Sequence, residues 1–507
     1  MSYVAASVIY FDAGRESGIA VGDTVNVARN GSIIGNVVIT AVSKRSSAAQ
    51  IIAQKIPIQV GDVGSVEKEI HGATPALPID SVRTTASVGV QTVEPKKGFS
   101  EPPNENIISG RVGVQYSGVL TNDSRFNLSQ PSVVFRMDVR RLFGTAMAIT
   151  MYTRNYYDLS QNYSRYGSAT RLKNRLYEFV LHSDDPSSSF GYGMGRMTSR
   201  YVGGLGTFDG GQLFYRTGTV TSGVIVGAKV DNLSYDLNSS DNKGALFVNY
   251  QYNSDFITHY DGTFAYGQQL IKGKLDREFV YLQNFMSLGS DLSIYESTEL
   301  ELNDITNGVR KRSLTLSNTY LSINYYPYSW LSGYIGYDGS RSVYLFESMK
   351  SISDTLFDKN LLQGYRAGAT VRLPYFISIS GNLSYRTKKG DARDARTFSG
   401  TVRSADLLGT EVGASVRYAD IVGVYSNGTN VTVDIDRTFF YRLSLTLRYD
   451  YYVYTIVSNA SSYTTHTYTL SGNYRITKML YAALNADRVN DSMMNSYRLF
   501  VEAGIRF

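Results

Sequence analysis

The chain of 507 residues contains no cysteine, which excludes a disulfide framework, a thiolate metal site and a cysteine nucleophile. Histidine is almost as scarce: His71, His182, His259 and His466 are the only four, and no two have metal-ligand spacing. No run of 18 or more apolar residues occurs, so no membrane-spanning helix is expected. No phosphate-cradling Gly-Lys-Ser or Gly-Lys-Thr loop is present, and no Ser/His/Asp order suggests a hydrolase. No charged and then apolar leader opens the chain; either an export signal has been removed before Met1 or the protein stays inside the cell. Net charge is only +6, without the clustered basic face of a nucleic-acid binder. A non-enzymatic chain needing no cofactor, metal or nucleic acid is expected.

Tyrosine and glycine are abundant instead, at 41 and 46. With 43% hydrophobic residues, 19% charged residues and a mean hydropathy of −0.19, the chain is too apolar for disorder and too polar for a helical membrane protein.

Proline sets the internal border. Five of the ten prolines, Pro75, Pro78, Pro95, Pro102 and Pro103, fall within 71–104, a stretch rich in Thr, Ser, Gly and Lys that reads as a linker. Only Tyr3 and Tyr10 precede it; the other tyrosines follow. Residues 1–70 read as short strands at Ser7–Phe11, Thr24–Ala28, Ser32–Ser43, Ala48–Ala53 and Val63–Val66. Val21-Gly22-Asp23 and Val60-Gly61-Asp62 repeat one tight-turn signature between them. Through Asp12-Ala13-Gly14-Arg15, Gly18, Gly22-Asp23 and Gly31, this module resembles the small SH3-like β-barrels of bacterial envelope proteins. The resemblance implies a fold, and either a packing role or docking of an envelope partner.

Residues 105–507 alternate with period two over long segments. In the last, Tyr497, Leu499, Val501, Ala503, Ile505 and Phe507 share one face, with Arg498, Phe500, Glu502, Gly504 and Arg506 on the other. Between Tyr441 and Tyr454, leucines and tyrosines alternate with Arg442, Arg448 and Asp450 in the same way. A soluble propeller would need shorter strands and repeats of about 40–50 residues. A transmembrane antiparallel β-barrel needs strands of about 9–11 residues, aliphatics outside, polar groups inside and aromatics at the band edges. That pattern is the one found, and the fold class is all-β.

The alternating strand Tyr497–Phe507 with its terminal Phe resembles the closing strand of bacterial outer-membrane β-barrel proteins. The glycine-rich stretch from Gly195-Arg196 to Gly203-Gly204-Leu205-Gly206-Thr207-Phe208-Asp209-Gly210 is similar to one in uncharacterised members of that class. The resemblance implies an outer-membrane location, contact with lipid and lipopolysaccharide, and recognition of the C-terminal strand and Phe507 by the barrel-assembly machinery. It also implies that residues 1–70 stand in the periplasm.

Segmentation gives about 22 strands, an even number, as required when both barrel ends lie on the periplasmic side. The long connections, at 158–172, 231–243, 303–312, 344–362 and 387–395, all follow odd-numbered strands. Glu296 and Asn318 break the alternation and mark either bulges or a misassigned register. A barrel of this size is roughly 45 Å across. Residues 1–70 are too few for the plug of an energy-coupled transporter.

On this register the candidate pore-lining residues are Arg366, Arg372, Arg386, Arg442, Arg448, Asp450, Arg475, Asp487, Arg498, Glu502 and Arg506. A basic wall would favour anions; a ladder of arginine–acid pairs would instead neutralise itself. Inward tyrosines such as Tyr152, Tyr452 and Tyr454 suit stacking on sugars. Glu299, Glu301 and Asp304 offer a carboxylate cluster for calcium or a lipopolysaccharide-bridging ion. Two functions stay open: a pore for small polar, including anionic, solutes, and a scaffold that anchors an envelope complex or sheathes a partner such as a cytochrome.

Overall fold

The computed structural model describes residues 3–4, 8–11, 23–29, 32–42, 47–54, 63–66, 106–160, 171–183, 185, 188–231, 235–254, 257–306, 309–349, 358–492 and 494–507. The expected linker at 71–104, His71, the turn residues 12–18, 21, 22, 31 and 60–62, and the pair Asn307-Gly308 lie outside the described residues. The chain divides into an N-terminal unit and a barrel.

Among the described residues the N-terminal sheet has six strands: β1 (Tyr3–Val4), β2 (Val8–Phe11), β3 (Thr24–Arg29), β4 (Ser32–Val42), β5 (Ser47–Gln54) and β6 (Val63–Val66). They are ordered β1-β2-β5-β4-β3-β6. Five of them match the expected segments within a residue or two at each end. Period-two burial explains the pairing: Val25 and Val27 are buried while Thr24 is exposed, and they pack with Ile9, Phe11, Val37 and Ile39.

The second unit is a closed antiparallel barrel of 22 strands. These are β7 (Ile107–Thr121), β8 (Leu128–Arg140), β9 (Met147–Tyr157), β10 (Leu172–Ser183), β11 (Phe190–Thr198), β12 (Thr207–Thr217), β13 (Val220–Val230) and β14 (Leu237–Tyr252). Next come β15 (Ile257–Ile271), β16 (Lys274–Leu288), β17 (Leu292–Thr306), β18 (Val309–Tyr328), β19 (Leu331–Ser340), β20 (Leu362–Leu373) and β21 (Ile377–Lys388). The wall ends with β22 (Ala395–Ser404), β23 (Val412–Val422), β24 (Ser426–Phe439), β25 (Leu443–Ile456), β26 (Ser462–Arg475), β27 (Leu480–Asp491) and β28 (Ser496–Arg506). Each expected barrel segment coincides with one of these strands. β28 pairs with β7, so no edge is left open. Gly110 and Phe507 exchange backbone bonds of 2.8 and 3.1 Å at the seam.

Alternation decides which side chains face out. Val112, Val114, Leu213, Val226, Leu246 and Phe264 are exposed, while their neighbours Arg111, Gln115, Ile225 and Phe247 lie on the opposite, lumen face. Aromatics mark two belts on the outer face. Tyr325, Trp330, Tyr375 and Phe440 lie at the short-turn end; Tyr157, Tyr365, Tyr385 and Phe398 lie towards the other. The rise from Tyr365 to Tyr375 is roughly 25 Å at a tilt of about 40°, the height of a transmembrane apolar band.

Two expectations about connections are corrected. The loop expected at 303–312 shrinks to 307–308, because β17 and β18 run on as a protruding ribbon; the one at 231–243 shrinks to 231–236. Polar loop-like sequence here is strand, because a ribbon standing clear of lipid has no need of an apolar face. The connections at 158–171, 341–361 and 389–394 remain close to expectation. The bulge expected near Asn318 is present, the register shifting at Ser317; Glu296, in contrast, sits in regular register opposite Leu321. Glu296 interrupts the apolar pattern of the outer face, accepting from Asn284 (2.6 Å) and from Thr298.

Candidate functional site

The lumen carries the chemistry of this barrel, and its two sides differ. On the side of β11–β17, connection 199–206 folds inward rather than continuing the wall. Tyr201, Val202 and Leu205 are almost wholly buried against Phe208, Phe247 and Phe279, which point inward from β12, β14 and β16. Tyr201 stacks on Phe247 with ring centroids 4.3 Å apart. Gly195 of β11 takes φ +125°, a conformation side chains avoid.

A buried charge cluster holds the loop in place. Arg277 of β16 donates through Nε to Glu301 (3.1 Å), pairs with Glu299 through Nη2, and reaches the Gly204 carbonyl at 3.5 Å. Its guanidinium lies 4.3 Å from the Phe279 ring centroid. A Cβ at Gly204 would collide with the Glu299 carboxylate, so a glycine is required at this contact. Lys243 of β14 secures the other end through the carbonyls of Leu205 and Thr207, the latter at 3.3 Å. Glu299 and Glu301, which the sequence offered as a carboxylate cluster, hold the Arg277 guanidinium between them. Asp304 is apart from them, paired with Arg341 and Lys359. Among the described residues no cluster of three or more metal-ligating side chains occurs.

The opposite wall is charged. Arg366 and Arg386 converge on Asp338, at 3.1 and 3.6 Å. Arg448 donates to Asp434 at 2.6 Å, and Asp450 accepts from Thr432 at 2.6 Å. Asp487 and Arg498 are direct cross-strand neighbours. Glu502 is buried, taking bonds from Gln115 (3.0 Å) and Tyr481 (2.5 Å), with Arg111 at 3.8 Å. Asp338 and Asp434, absent from the sequence-based set, are the acids that neutralise its arginines. Their signal was present, since both stand at alternating polar positions of their strands.

The remaining candidates lie at the short-turn rim. Arg372 donates to the Ser329 carbonyl (3.1 Å), Arg475 to the Tyr441 carbonyl (3.0 Å), and Arg506 covers the Tyr481 ring at 4.5 Å. Arg442 is corrected: it belongs to turn 440–442, not to a strand, because the positive φ of Phe440 and Tyr441 ends the ladder there.

The inward tyrosines form stacks. Tyr452, Tyr454 and Tyr463 make one run with centroid spacings of 5.2 and 5.3 Å, and Tyr152 stacks on Tyr177 at 4.8 Å. Of the described histidines, His182 meets Thr150 and the Ser183 carbonyl, His259 meets Asn253, and His466 meets Tyr449.

No protein-family model matches the sequence, and a search of curated proteins finds no match. Solved structures similar to this chain include a variant of OccD1 (OprD), at 10% identity and a TM-score of 0.40, covering 79% of this chain and 96% of that one. Acinetobacter baumannii OccAB4 matches at 11% identity and a TM-score of 0.40, covering 80% and 100%. The translocation pore of the P pilus usher PapC matches at 9% identity and 0.39, covering 79% and 99%. The functional reading below rests on this chain's own residues.

Proposed function

We propose that this chain is a pore of a bacterial outer membrane that passes small polar solutes, with anions favoured. The observation that carries it is the closed wall whose outer face is mostly apolar between two aromatic belts and whose inner face is charged. Width supports the reading as well, since about 22 strands leave room for a lumen even with one side filled. Connection 199–206 occupies the β11–β17 side and leaves the arginine-bearing wall free to meet solutes. Arg366, Arg372, Arg386, Arg448, Asp450, Arg475, Asp487, Arg498, Glu502 and Arg506 line the path in this reading, with Arg442 at its turn-side rim. Basic side chains on a low-dielectric wall concentrate anions, while the acids between them keep the preference modest.

In the same proposal residues 1–70 form an SH3-like periplasmic module, joined through 71–104 and available to an envelope partner. The outer wall meets lipid and lipopolysaccharide, and the strand ending at Phe507 is read by the barrel-assembly machinery. Planar-bilayer recording of the purified full chain tests the function. Discrete conductance steps with a reversal potential shifted towards chloride are expected; a silent bilayer from correctly folded protein defeats the reading.

A further inference from the structure

Arg154 of β9 and Arg175 of β10 stand directly opposite each other across the strand pair, on the lumen face. Like charges in that position repel. A second opposed pair, Arg111 and Arg136, shows how this barrel ordinarily relieves the repulsion. Arg111 has Glu502 at 3.8 Å and Arg136 has Asp138 at 3.9 Å. Arg154 and Arg175 have no carboxylate within salt-bridge distance among the described residues, and the Nε of each is buried without a hydrogen-bond acceptor. The acid on this face of β10, Glu178, stands opposite Tyr152 and pairs with neither. The two guanidiniums thus place a double positive charge on the lumen face with no carboxylate partner among the described residues, and an anion bound there would offset both.

The surroundings are aromatic. The Arg175 guanidinium lies 5.2 Å from the Tyr156 ring and 5.1 Å from that of Tyr235; Arg154 lies 6.0 Å from Tyr156. Beside them Tyr177 stacks on Tyr152 and meets Tyr235 edge-on at 4.9 Å. Tyr235 comes from connection 231–236 and is held at φ +61°. A bulky side chain adopts that conformation only where its surroundings impose it. Lys173 adds a third positive charge opposite Tyr156.

The geometry points to a binding site at this place for a sugar acid. Its carboxylate bridges Arg154 and Arg175, and its ring lies against the tyrosine faces. Ring stacking suits the apolar face of a pyranose, and paired guanidiniums suit a planar carboxylate. The site deepens the pore reading by naming a solute class, and it rests on that reading only for the direction of transport.

Isothermal titration of the full chain in detergent micelles tests it with three probes: D-galacturonate, D-galactose and acetate. Galacturonate is expected to bind at least about tenfold more tightly than either of the others, because each of them lacks half of the contacts. Arg154→Gln and Arg175→Gln should each weaken galacturonate by about tenfold or more, while Arg136→Gln leaves it nearly unchanged. Equal binding of galactose, equal binding of acetate, or indifference to both arginine substitutions overturns the assignment. Should a variant fail to assemble, the wild-type chain still decides: its thermal midpoint must rise with galacturonate and not with galactose at matched ionic strength. A silent bilayer with intact binding would defeat the pore alone, and an open channel that ignores galacturonate would defeat this site alone.

Discussion

Gln115 and Glu502, separated by 387 positions in the chain, are hydrogen-bonded at 3.0 Å across the seam where the last strand meets the first. Ser132 extends the contact to β8 through Gln115 at 3.3 Å, and Tyr481 reaches Glu502 from β27. Four strands are thus tied through one buried carboxylate, which no local sequence window contains.

Replacing Glu502 by Ala should therefore weaken closure. The substitution strands the Gln115 amide, the Tyr481 hydroxyl and the Arg111 guanidinium, at a cost of about 3 kcal/mol. Urea unfolding in lipid vesicles should show a lower midpoint, while Glu502→Gln, which keeps the acceptor, should lose less than half as much.

Connection 199–206 should leave the lumen when its anchor is removed. Arg277→Ala frees Glu299 and Glu301 and breaks a buried pair, a loss of about 3–5 kcal/mol that exceeds what so short a loop can make good. Single-channel conductance should rise, and selectivity should move towards cations. Gly204→Val should raise conductance without that shift in selectivity, because it expels the loop by steric overlap and leaves the charges unchanged.

Asp338 sets the balance of the opposite wall. Arg366 and Arg386 share it, so Asp338→Asn leaves two unneutralised guanidiniums facing the path. The chloride-to-potassium permeability ratio should increase about twofold or more, with the change largest at low salt where screening is weakest. An unchanged reversal potential would place these residues away from the ion path.

Phe507 contributes two backbone bonds to Gly110, and its ring packs where a Cβ on Gly110 would sit. Deleting Phe507 should reduce the fraction of folded barrel recovered from membranes by several-fold, judged by heat-modifiable gel mobility. The barrel that does assemble should conduct normally, because the lumen-facing residues are untouched.

Most of the architecture was legible in the sequence because lipid and water impose opposite demands on alternate side chains. Period two therefore persists for as long as the wall does; strand positions, strand parity and the faces of Arg448, Asp450 and Glu502 all follow from it. Where that demand lapses the pattern fails, as in the ribbon of β17 and β18 beyond the aromatic belts and at turn residue Arg442. Tertiary structure alone decided which charges meet. Arg277 stands between Glu299 and Glu301, Asp338 between Arg366 and Arg386, and Arg154 faces Arg175 with no carboxylate partner among the described residues, because strand register and one inward-folding loop set those distances. Alternation assigns a side chain to a face of the wall, but its partner on that face depends on how the strands slide past one another before the ring closes.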